Sequence, residues 1–280
     1  MAMIDDDPAL YVTGIWGRLS EAERSLIDDT RDGPAAKRRQ SWHTLRLHGS
    51  PEALALSLDL FLADRAGARF GQGVSHDRKA VRGVASRLLG LPAFDGHSRF
   101  GERVAGASHV VALRSLALVA GPDDADILPP LPRDLAIAGE FLVAWGYAAG
   151  EILRLQGSQP DARLVATLST TAADESIDAM ARTGAAVAIG ASPGSAAITA
   201  LHGLAREAEG DVRIEALAAL ARHRQLEADE IETIRVLLTR SQRSSSFTIR
   251  EDDLHEALVR ADITAEEHSA HDRQWNADDA

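Results

Sequence analysis

The chain has 280 residues, 45% of them apolar and only 4% aromatic, with 42 acidic against 30 basic side chains, a net charge of -12 and no cysteine. That length and apolar share suffice to bury a core without staples, while the missing cysteine excludes disulfides, thiolate metal sites and a cysteine nucleophile. The acidity opposes nonspecific binding to phosphate backbones or anionic membranes, and a core made from alanine, leucine and valine suits closely packed helices, so the expected class is all-α.

Residues 1–17 read as an irregular lead-in, because acids cluster from Asp5 to Asp7 and glycines stand at 14 and 17. Ser20 followed three residues later by Glu23 is a capped helix start, and Asp32-Gly33-Pro34 ends that helix. A second helix is expected from Pro34 to Leu47. Gly49-Ser50-Pro51-Glu52 then supplies a stop, a cap, a first-turn proline and a first-turn acid, so 34–65 is expected to be one helical hairpin. Glycines at 67, 71 and 73 break the periodicity before a helix from Ser75 to Leu89. They do not make a phosphate loop, since no strand precedes them and no Gly-Lys-Ser or Gly-Lys-Thr follows. An irregular interval near 92–98 precedes a helix ending at Ala120.

Pro129, Pro130 and Pro132 make a rigid break before the longest apolar run, Leu135 to Leu155. Glu140, Glu151 and Arg154 within it favour a buried central helix over a membrane span. Helices are expected near 161–170, 174–189, 193–208, 211–223 and 228–240, with a polar loop at 241–246, a closing helix at 249–260 and an acidic, polar tail at 261–280. The domain expected from this pass is one helical unit over 18–260. The acidic N-terminus lacks the basic and apolar regions of a signal peptide, which suggests a soluble, cytoplasmic protein.

One arrangement recurs: an apolar residue, arginine, alanine three positions on, and an aliphatic four later. Val81-Arg82, Ala85 and Leu89 match Val212-Arg213, Ala216 and Leu220 throughout; Ala181-Arg182, Ala185 and Ile189 fit with a smaller first residue, and Leu113-Arg114 with Ala117 fits in part. The arginines are 32, 68 and 31 residues apart, a period of about 30 to 40 with two helices per unit. In this, and most clearly at Gly210–Arg240, the chain resembles HEAT or armadillo-type repeats. The resemblance implies an α-solenoid of roughly six helical hairpins, with a compact helical bundle as the alternative.

Candidate chemistry is sparse. Histidines are numerous, but His255-Glu256 is the single histidine-glutamate pair, whereas the HEAT-like di-iron hydroxylases that this architecture resembles carry several, so neither metal nor cofactor is expected. No serine lies in a nucleophile elbow, and no catalytic residue is proposed. Asp123, Asp124 and Asp126 fit helix capping better than a calcium loop.

The sharper constellation is Lys37-Arg38-Arg39 followed by Trp42, His43 and Arg46. A basic patch with an aromatic can contact phosphate and stack on a base, as in the HEAT-like DNA alkyl-base glycosylases. Alternatively it is an amphipathic helix with Trp42 and Leu45 inward. The candidate binding residues are Arg38, Arg39, Trp42, His43 and Arg46, with His76 beside the glycine-rich break. Two functions stay open: a non-catalytic helical scaffold binding another protein through its concave surface, the acidic balance suiting a basic partner; and a HEAT-like DNA glycosylase or other nucleic-acid-processing protein using 37–46.

Overall fold

The computed structural model describes residues 11–12, 14–66, 74–97, 101–131 and 139–241, together with Val259; for 64–66, 74–77 and 238–241 it gives the backbone. Among the described residues the fold is all-α, with eleven α-helices and one two-residue β-ladder. The glycine break at 67–73, the start of the long apolar run at 132–138, the polar loop after Ser241, the closing helix apart from Val259 and the tail lie outside them. The contacts gather into two compact units. One comprises residues up to Leu155 with Ser176–Ala181, and the other Gln156–Glu175 with the chain from Arg182 onward.

The first unit holds α1 (Glu21–Asp32), α2 (Ala35–His48), α3 (Pro51–Ala66), α4 (Val74–Leu89), β1 (Gly96–His97), β2 (Arg103–Val104), α5 (Ala107–Val119) and nearly all of α6 (Gly139–Gln156). Local chemistry explains the helix ends. Ser20 and Glu23 form a reciprocal capping box at the start of α1, and Ser50 Oγ accepts from Ala53 N at 3.2 Å to open α3. At Gly33 and Gly49 a Cβ would come within 2.5 Å of Asp29 O and 2.9 Å of Leu45 O, so only glycine lets the chain leave α1 and α2 as it does.

The packing differs from the expected 34–65 hairpin. α2 lies chiefly against α1 and α4, and its contact with α3 is slight; α3 packs on α5, α1 and α4. The composition of α3 explains this, because Ala53 to Leu62 is buried on every side, and a helix apolar all round belongs inside a bundle of neighbours. The apolar run expected at the middle of the molecule forms α6, which buries Phe141, Leu142, Trp145, Ile152 and Leu153, but α3 and α5 are enclosed to a similar degree.

The lead-in is packed from Tyr11 onward. Tyr11 N and Val12 N both donate to Oδ2 of the buried Asp59, at 3.0 and 2.9 Å, and Val12 is fully buried. The β-ladder, antiparallel with Gly96 opposite Val104, closes over this segment: a Cβ on Gly96 would lie 2.5 Å from Tyr11 O.

The second unit holds α7 (Ala162–Ala173), most of α8 (Ala179–Ile189), α9 (Ser195–Glu207), α10 (Gly210–Arg222) and α11 (Ala228–Ser241). Asp161 Oδ1 caps α7 by accepting from Arg163 N and Leu164 N at 2.8 and 3.0 Å. α8 begins five residues later than expected because Asp178 supplies its cap, accepting from Met180 N and Ala181 N, while Asp174 closes α7. The close pair is α9 with α10, not α10 with α11, whose mutual contacts are sparse. The stretch 210–240 is thus two helices in sequence, with its first helix paired backward.

The recurring sequence arrangement has a structural counterpart. Val81, Ala85 and Leu89, Ala181, Ala185 and Ile189, and Val212, Ala216 and Leu220 are all buried. The arginines beside them tie helices together. Arg182 Nε donates to Ala172 O at 3.1 Å and Arg213 Nη2 to Arg206 O at 2.7 Å, in each case in the last turn of a preceding helix, where carbonyls lack partners. Arg82 pairs with Asp124, and Arg114 with Glu140 at 3.2 Å.

Candidate functional site

α2 is an amphipathic helix with Ser41, Trp42 and Leu45 buried. Helical geometry then puts Arg39, His43 and Arg46, at i, i+4 and i+7, along one flank, and all three are exposed. That flank faces α4 across a closely fitted seam. A Cβ on Gly83 would lie 2.6 Å from Arg46 Cδ, so the glycine in α4 makes room for the stem of Arg46. Below it, Arg87 Nη1 donates to Leu45 O and Arg46 O, each at 2.7 Å, and fixes the end of α2 on α4.

The seam opens into a cleft of about 360 Å³ lined by Arg39, Trp42, His43, Arg46, Lys79 and Ala80. Four of the six expected site residues are therefore brought together. Arg38 is not among them: its Nη1 donates to Gly33 O at 3.1 Å, closing the α1–α2 turn. His76 lies on α4 one turn before Lys79, but its side chain is outside the described residues. Trp42 forms part of the cleft wall while 4% exposed, with its ring edge-on to Phe61 at 6.5 Å. It takes the inward position of the amphipathic alternative.

The cleft is basic from both sides. Neighbouring cations are neutralised, Lys37 by Asp29 at 2.7 Å and Arg82 by the buried Asp124. Among the described residues, Arg39, Arg46 and Lys79 have no carboxylate partner, and no acid lines the cleft. A second cleft, of about 370 Å³ in the other unit, mixes Arg213 with Asp229 and Glu232 and carries no comparable field. Lys79 and Gly83 were missed from the sequence. Lys79 is one of only two lysines in the chain, and Gly83 interrupts an otherwise good helix former, but neither signal says that α4 faces α2.

Asp124, in the 3-10 turn Asp124–Ile127, accepts from Gly121 N at 2.7 Å besides pairing with Arg82, so it caps a turn and anchors α4. Among the described residues no group of three or more histidines and carboxylates could hold a metal, and no helix is long and apolar enough to cross a membrane. His255, His268 and His271 lie outside them. No family model, curated protein or solved structure matches the chain. The fold is thus all-helical, with a cleft lined by arginine, histidine and lysine between two helices, and the repeat resemblance stands on its buried pattern alone.

Proposed function

We propose that this is a non-catalytic helical binding protein that engages another protein through the α2–α4 face. The observation that carries the reading is the cleft of Arg39, His43, Arg46 and Lys79, without an opposing acid among the described residues, in a protein of net charge -12. Where surface arginines serve packing in this fold they reach a carbonyl or carboxylate, as Arg82, Arg87, Arg182 and Arg213 do. Cations left uncommitted around a cleft are suited to a partner instead. The overall acidity, which suits a basic partner, is locally reversed here.

A photo-crosslinking residue placed at His43 tests the reading in extracts of the native source. One protein captured in stoichiometric yield, and no longer captured when Arg39, Arg46 and Lys79 are changed to glutamate, is the expected result. Equal capture by both forms, or none by either, would remove the α2–α4 face as the binding surface.

A further inference from the structure

Resting on that reading, we propose that the α2–α4 cleft receives an acidic segment of the partner protein, one whose carboxylates are spread over about two helical turns. The spacing of the cations carries this. Arg39 and Arg46 are seven residues apart on one flank of α2, which places their origins about 10 Å apart along the helix, with His43 between. Each arginine can fork a carboxylate of its own at that spacing, so an occupant with two spaced acids engages both at once. Two glutamates two turns apart on a helix repeat at about 10 Å, and acids three residues apart on an extended segment repeat at nearly the same distance. Lys79 adds a third cation from the α4 wall beside Ala80, whose methyl, with only the edge of Trp42 behind it, gives the methylenes of an acidic side chain an apolar contact.

A nucleic acid offers regular anions too, yet two observations disfavour it. Its charge continues beyond the cleft into the field of a protein with 42 acidic and 30 basic side chains, whereas the charge of a peptide is confined. The aromatic that would stack on a base is buried edge-on against Phe61.

The test uses the full chain and labelled probes read by fluorescence anisotropy: a helical peptide with glutamates seven apart, the same composition with the glutamates adjacent, a peptide with one phosphoserine, and a short DNA duplex. The spaced peptide is expected to bind at least about tenfold tighter than the adjacent one, a difference of about 1.4 kcal/mol, with affinity falling as salt rises. Arg39→Glu with Arg46→Glu should abolish that preference. Because Arg46 packs on Gly83, Arg39→Glu with Lys79→Glu provides a second pair, and a spaced-lysine peptide should regain binding to either variant. Equal binding of the two glutamate peptides, tighter binding of the phosphopeptide or the duplex, or binding indifferent to Arg39 and Arg46 overturns the proposal. The two readings fail separately. A crosslinked partner attached at the cleft through a neutral or basic segment ends this inference and leaves the binding function standing, while no capture at His43 ends the function itself.

Discussion

Glu23 Oε1 accepts a hydrogen bond from Ser50 N at 2.9 Å, so the carboxylate that caps α1 also binds the backbone at the start of α3. Its other oxygen accepts from Ser20 N at 3.0 Å and Ser20 Oγ at 2.8 Å. One side chain thus satisfies donors at two helix starts, at Ser20 and at Ser50, the second of them 27 residues from Glu23 in sequence. Partial burial pushes its carboxyl up, but the bonds from Ser50 and Ser20 outweigh this and bring it from 4.5 to about 2.

The sign of the pH effect follows. The folded state holds the charged form more strongly than the unfolded chain does. The contribution is therefore full above 4.5 and is lost as pH falls from 4.5 through about 2. Glu23 is partly open to water, so screening reduces its worth, and Glu23→Gln is expected to cost about 1–2 kcal/mol at neutral pH. Urea unfolding of the two proteins should show that gap closing as the buffer is taken from 4.5 toward 2. A gap that stays constant over this range would mean that the charge contributes nothing.

Arg82 and Asp124 make a different kind of tie. Asp124 is fully buried, whereas the Arg82 side chain is 37% exposed. Removing the arginine leaves a buried carboxylate facing only Gly121 N, so Arg82→Met should destabilise by about 2–3 kcal/mol, somewhat less than a fully enclosed pair because water can reach the vacated side. The double change Arg82→Met, Asp124→Asn should recover part of that loss. Chemical denaturation of the four proteins in the cycle measures the coupling, and additivity would show that the pair is not energetically linked.

The helix ends were the most legible part of the fold, because they depend on residues a few positions apart. Ser20 with Glu23 and Ser50 with Pro51 each announce a start, and each cap is found in place. What periodicity does not contain is which helix meets which. The apolar stripe of α2 could face α3, its neighbour in sequence, or α1 and α4, and the choice follows from α3 being apolar all round. The β-ladder was illegible because two residues per strand are too few to show alternation. At the site, the α2 residues were visible as a basic run, but their convergence with Lys79 depends on the seam at Gly83, a contact 37 residues away from Arg46 in the chain. Asp59, one acid within an apolar run, was a signal available in the sequence: a buried carboxylate there had to find donors, and it took Tyr11 N and Val12 N.

Two glycines in the second unit should respond in opposite directions. A Cβ on Gly194 would sit 2.2 Å from Pro160 Cδ and 2.8 Å from Ser158 O, where the backbone leaves no room. Gly194→Ala should cost about 1–3 kcal/mol through displaced backbone. Gly203 lies inside α9 with nothing within 4 Å of the Cβ position, so Gly203→Ala should raise stability by about 0.5–1 kcal/mol through the smaller entropy of the unfolded chain. Thermal melts of the two single variants decide the matter. The same sign of change in both would contradict the packing described around Gly194.

Glu230 repeats in the second unit what Glu23 does in the first. It is the third residue of α11, and its Oε2 reaches back to accept from Glu227 N at 2.9 Å, while Oε1 lies 2.7 Å from His202 Nδ1 on α9. Its side chain is 3% exposed, whereas that of Glu227, which meets Arg206 at 2.5 Å and stands 3.9 Å from His202 Nε2, is 53% exposed. An ion pair in water contributes little, but a buried acceptor whose removal orphans both a helix-start N–H and an imidazole contributes more. Glu230→Ala is therefore expected to cost about 2–3 kcal/mol, Glu227→Ala about 0.5 kcal/mol, and Glu230→Gln an intermediate amount, since the amide oxygen can keep one of the two bonds. Hydrogen exchange at the first turn of α11 gives the local readout. Faster exchange there in Glu230→Ala, with little change in Glu227→Ala, would identify the buried carboxylate as the group that docks α11 on α9, and equal effects of the two substitutions would assign that docking to the exposed ion pairs instead.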